Sequence, residues 1–170
     1  MKFKTKTIKF AIAAFVAVIA SSCLGFASQL APLKQLNLEI TQGEVRVVLL
    51  RAGQVISTNG QIQFVATYAV EIPDKGAFSD LHFYSNTELN LAVNGKPVEF
   101  NNIESSEMGF DELLQKTDLN KLETHTGKAM IAQDVVIKDL KIDAKMVDVI
   151  VQFDWRKNPM KFDFKDVPLN

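Results

Sequence analysis

The stretch "MVDVIVQFDWR", residues 146–156, sets Val147, Val149, Val151, Phe153 and Trp155 at every second position, with Asp148, Gln152, Asp154 and Arg156 between them. Only an extended strand puts alternate residues on one face, whereas a helix would scatter these five around its circumference. "QIQFVATYAVEI", residues 61–72, repeats the pattern: Ile62, Phe64, Ala66, Tyr68, Val70 and Ile72 share one face. Gln63, Thr67 and Glu71 point the other way, which predicts a strand with one buried and one partly wet face. "ELNLAV", 88–93, and "MKFDFKDV", 160–167, alternate in the same way.

Turn residues cut the chain between these runs. Thr41-Gln42-Gly43 separates "NLEI", 37–40, from "EVRVVLL", 44–50, and Gly53 and Asn59-Gly60 punctuate the next stretch. Asn59-Gly60 readily supplies the positive φ angles of a tight hairpin turn, Pro73-Asp74-Lys75-Gly76 is a turn, and Asn94-Gly95 closes a hairpin onto "KPVEF". Pro97 has no amide donor, which places that strand at a sheet edge. The period changes in "GFDELLQKTDLNKLETHTGK", where Phe110, Leu113, Leu114, Leu119 and Leu122 fall at helical spacing. Ser105 or Ser106 can cap such a helix, and Gly127 ends it. Period two returns in "AMIAQDVVIKDLKIDA", 129–144.

Short strands joined by hairpin turns predict a mainly β protein, an antiparallel β-sandwich with one short helical insertion at about 104–127. The alternative is an α+β fold, a curved antiparallel sheet with one packed helix. With 170 residues, 47% of them apolar, the chain can bury one core of ordinary size.

The N-terminus follows a different plan. "MKFKTKTIK" is basic and free of acids, "FAIAAFVAVIA" at 10–20 is apolar, and small and polar residues come after it. This is the layout of a bacterial-type secretory signal, and its apolar run is shorter than the ~20 residues that span a bilayer. Gly25-Phe26-Ala27 suits cleavage before Ser28. Ala20-Ser21-Ser22-Cys23 resembles a lipobox, after which lipoproteins are cut before a cysteine that is then acylated. Ser21 and Ser22 suit that motif and Ala20 departs from it. The expected organisation is a signal peptide at 1–27 (or 1–22 for a lipoprotein), a linker at 28–36 and one β-rich domain at 37–170. Cys23, the sole cysteine, is either a lipid-attachment point or discarded, so no disulfide framework is expected.

The first 27 residues carry four of the 19 Lys and Arg and none of the 20 Asp and Glu, so the remainder stands at about −5. That balance argues against a nucleic-acid partner, whose phosphates call for a basic face. Motifs for catalysis are wanting. His82 sits within an alternating "DLHFY", and His125 sits where a cation would meet the end of the insertion's helix. There is no H-x-H, H-E-x-x-H, C-x-x-C, calcium loop, G-x-S-x-G or phosphate loop, so no cofactor or metal is expected. Asp134, Asp139, Asp143, Asp148 and Asp154 read as solvated strand positions. Glu104, Glu107, Asp111 and Glu112 cluster at the start of the insertion and offer the one carboxylate set for glycoside-type hydrolysis.

Phe78, Phe83 and Tyr84 lie in a region of weak periodicity and form the candidate partner or ligand surface. The expected function is that of an exported envelope protein, periplasmic or outer-membrane-associated, acting as a non-enzymatic binding or accessory module. Its partner would be another envelope protein or an apolar or glycan ligand, and a membrane only through a lipid anchor. Two alternatives predict different interiors: a carrier with an apolar sheet–helix cavity, and a small hydrolase with two facing carboxylates.

Overall fold

A computed structural model describes residues 33–74, 88–109 and 124–169, together with Gly76, Glu112 and Gln115. Nine strands run through them: β1 (Gln35–Gln42), β2 (Val45–Ile56), β3 (Ile62–Ile72), β4 (Glu88–Val93), β5 (Lys96–Pro97), β6 (Ile103–Gly109), β7 (Ala129–Lys138), β8 (Met146–Trp155) and β9 (Asn158–Pro168). They form two antiparallel sheets with strand orders β1-β2-β3-β7-β6 and β5-β4-β8-β9. The fold is an antiparallel β-sandwich.

The alternating faces meet where the sequence puts them. Phe64, Ala66, Tyr68, Val70 and Ile72 from the five-stranded sheet share one apolar cluster with Val147, Val149, Val151, Phe153 and Trp155 from the four-stranded sheet. Phe162 and Phe164 of β9 complete it, and the Phe153 and Phe162 rings stack with centroids 5.3 Å apart. Each such side chain contributes about 1.5–3 kcal/mol when removed from water, and these are almost wholly buried. Tyr68 is the one polar member of β3's inward face, and its hydroxyl donates to Gln133 across the β3–β7 ladder.

Besides one in β1 between Gln35 and Leu38, irregularities in β2 and β9 change which residues face inward. In β2 the register slips between Leu49 and Arg51, so Leu50 is an extra residue opposite β3 and the inward parity shifts to Ala52. In β9 the register slips opposite Val147–Val149, and Asp166 there takes φ 52°. Asp148 holds this bulge by accepting from the Asp166 amide at 3.1 Å and from Lys165 Nζ at 2.9 Å.

The other face of the five-stranded sheet departs from expectation. Alternation predicts a partly wet side for Thr67 and Glu71, yet both are fully buried, as is Ala69 between them. Across the ladder, Val48 and Ala132 flank Ala69 and are at most 1% exposed. Thus β3 is buried on both faces, and period-two alternation on it reflects polarity more than exposure.

Four further expectations are corrected. Residues 104–109, expected at the start of the helical insertion, belong to strand β6, so Ser105 and Ser106 cap no helix. Most of the remaining insertion lies outside the described residues. Gly53 stands inside β2 opposite Val65 and makes no turn. Finally, β1 begins at Gln35, inside the expected linker, while "KPVEF" keeps only two strand residues.

Candidate functional site

Cys23, Phe78, Phe83 and Tyr84 lie outside the described residues, and so does His82. Of the acidic cluster at the head of the insertion, Asp111 lies outside the described residues, and the two members in β6 do not converge. Glu104 and Glu107 are three apart in strand β6 and therefore point to opposite faces. Glu104 pairs with Lys138. Glu107 sits on the Tyr68 side of the sheet, where burial, helped by this charge, raises the Tyr68 phenol well above its ordinary range. Among the strand aspartates, Asp134 accepts from the Thr67 hydroxyl at 2.5 Å, and that hydroxyl accepts from Arg51 Nε at 2.8 Å. Asp148 serves the β9 bulge. Among the described residues, no group of three or more His, Cys, Asp and Glu stands close enough together to hold a metal ion.

The strongest polar cluster is not marked as a site by any motif in the sequence. It centres on Glu71, whose carboxylate has no solvent exposure. Arg46, opposite it on β2, donates to both oxygens, from Nε at 3.3 Å and from Nη2 at 3.0 Å. The same guanidinium reaches Glu39 on β1 through Nη1 at 2.9 Å. From the loop before β7, the His125 amide donates to Glu71 at 2.8 Å and ring Nδ1 donates at 2.5 Å, with Lys128 Nζ at 3.8 Å. Burial pushes the Glu71 carboxyl up, but the hydrogen bonds from Arg46 and His125 outweigh it and hold the group at about 2. Burial pulls the Arg46 guanidinium down, and Glu71 and Glu39 together more than reverse it, holding Arg46 above its ordinary range.

This arrangement has limited chemical scope. A carboxylate ionised down to about pH 2 is no general acid, and one already bound to a guanidinium is a weak base. What Glu71 does is fasten the 124–128 loop onto the sheet and fix the His125 ring with Nε2 outward, the ring remaining 62% exposed. The readable signal is a pair of opposite charges inside two apolar runs, Arg46 in "EVRVVLL" and Glu71 in "YAVEI".

A second feature is a groove at the edge of the four-stranded sheet. Asn94 (φ 51°) and Gly95 (φ 75°) close the β4–β5 hairpin, and the Val98 amide makes its last ladder bond to Leu91 O at 2.9 Å. Beyond Val98 the chain leaves β4. Alternation along β4 then points the Leu89 N–H and C=O at the gap, where the next partner would have been Phe100. The result is an open groove of about 510 Å³. Its apolar lining is Leu89, Pro97, Val98, Phe100 and Ile103, and Glu88 and Glu99 are its charged groups.

The chain matches no family model, and no curated protein is similar to it. Its function therefore has to be read from these two features. No helix among the described residues is long and apolar enough to cross a membrane.

Proposed function

We propose that this chain is an exported envelope protein that works as a non-enzymatic binding or interaction module, and that the β4-edge groove is where it takes its partner. The observation that carries this is the conjunction of a Leu89 backbone pair that meets no partner on that side among the described residues with apolar walls from Val98, Phe100 and Ile103. An extended segment laid along β4 gains main-chain hydrogen bonds from such an edge and side-chain contacts from such walls. Glu88 and Glu99 favour a basic or neutral segment over an acidic one.

Two observations weigh toward binding over the other activities. The space between the sheets is filled by Phe64, Tyr68, Phe153 and Phe162, which speaks against a cavity there, while a sheet–helix cavity falls on residues outside those described. Glu104 and Glu107, the members of the carboxylate set that lie in β6, point to opposite faces of that strand and so do not form the facing pair a hydrolase asks for.

A photo-crosslinking amino acid placed at Glu99 tests the proposal, with Lys161 on β9 as the exposed control. A discrete adduct in the cell envelope from position 99, absent from position 161 and lost on reversing Glu88 to Lys, is the expected outcome. Equal labelling from both positions, or none from 99, removes the groove from consideration.

A further inference from the structure

Strand β6 is the outer strand of the five-stranded sheet, and among the described residues nothing pairs with its free edge. The Lys138 amide bonds to Asn102 O at 2.8 Å, and seven consecutive β6–β7 partners run on from there without a bulge. That phase turns the N–H and C=O groups of Glu104, Ser106 and residue 108 toward β7. Those of Ile103, Ser105, Glu107 and Gly109 therefore point outward. None of these four has a backbone hydrogen bond on that side to any of the described residues.

Soluble proteins blunt such edges with Pro, Lys, a bulge or a very short strand. β6, "IESSEMG", has none of these, and Ile103 is left 47% exposed. Its charges also tell against an accidental edge. Glu104 is neutralised by Lys138 on the neighbouring strand, and Glu107 is the only other charge.

We infer that β6 pairs antiparallel with β6 of a second copy of this chain, about a two-fold axis at Ser106, joining the two sheets into one. This register uses all of β6 and matches outward groups with outward groups: Ile103 faces Gly109 of the second copy, and Ser105 faces Glu107. It also sets Glu104 opposite residue 108, so no two glutamates oppose each other. Sliding the axis by one residue to either side still matches outward groups but shortens the overlap. An axis at residue 104 or 107 brings glutamate onto glutamate, which is destabilising directly across a ladder. The fit is to itself, and a second copy is the partner it specifies. Self-pairing at β6 does not depend on the groove.

Sedimentation equilibrium on the exported protein, in a Cys23→Ser background, tests it. The expected result is a dimer with a dissociation constant on the order of micromolar, as suits a small edge contact. Ser105→Pro removes one outward N–H and leaves the β6–β7 bonds intact, and it should raise that constant at least tenfold. Ser106→Lys places lysines against each other at the axis and should do the same, which covers the case where the proline variant fails to fold. Ser106→Cys sits in a pair without ladder hydrogen bonds, with Cα atoms about 4.5 Å apart, close enough for a disulfide. It should give a covalent dimer on mild oxidation, and Lys161→Cys should not. A protein that stays monomeric at about 100 µM, or a dimer that neither Ser105→Pro nor Ser106→Lys weakens, overturns the inference. A monomer that still crosslinks through Glu99 overturns self-pairing and leaves the groove proposal standing.

Discussion

Replacing Glu71 by Gln keeps the shape of the side chain and removes the charge that faces Arg46 and orients His125. Breaking a buried ion pair from one side costs about 3–5 kcal/mol, because the remaining charge stays desolvated. Chemical denaturation should show that loss. The pH dependence comes from the same group. A carboxyl held at about 2, against an ordinary 4.5, stabilises the fold fully above pH 4.5, and the contribution is lost as pH falls toward 2. Its size at neutral pH is on the order of 3 kcal/mol. Melting temperatures measured from pH 6 to pH 2 should therefore fall steeply in the native protein and more gently in Glu71→Gln. Parallel curves would mean that other carboxylates govern the acid limb.

At the scale of elements, two hairpins of the same length make opposite predictions. Asn94-Gly95 joins β4 to β5 with both φ angles positive, using the residues that adopt that region at least cost. Arg156 and Lys157 join β8 to β9 with φ of 49° and 65°, and neither residue type favours it. Arg156 has a compensation in Glu44 at 2.8 Å and in the Trp155 ring, 4.9 Å from its guanidinium carbon. Lys157 is the place to relieve strain. Lys157→Gly should stabilise the fold by roughly 0.5–1 kcal/mol, and Gly95→Ala should destabilise it by about 1 kcal/mol or more, both read from urea midpoints. The Asn-Gly turn is legible from its residues. The Arg-Lys turn is not, because register and ladder geometry impose it from outside. β6 is hidden for a related reason: an exposed edge strand buries neither face well, so no apolar alternation marks it, and its serines and glutamates resemble a helix start.

For the whole molecule, the proposed leader governs where the chain goes, and the sandwich governs the surface it presents there. Mass spectrometry of the mature protein has two expected outcomes to separate: an acylated Cys23 terminus for an anchored protein, or an unmodified Ser28 terminus for a free one. A mature chain that keeps Lys2–Lys9 would refute export by this leader. Anchoring bears on self-pairing at β6, since tethering to one surface raises the effective concentration of the second copy.

What the sequence alone determined is the class of fold and its core. Strict alternation in β3, β8 and β9 leaves a strand as the only geometry that collects Phe64, Tyr68, Phe153 and Phe162 on common faces, and turn residues fix the breaks. Tertiary structure decided everything that depends on a neighbouring strand. The pairing of Arg46 with Glu71 comes from the β2–β3 register, the hold of Glu71 on His125 comes from the loop before β7, and the groove comes from where β5 stops. The physical reason is that periodicity encodes which way a side chain points along its own strand, while burial and electrostatic partnership are set by residues 25 or 54 positions away.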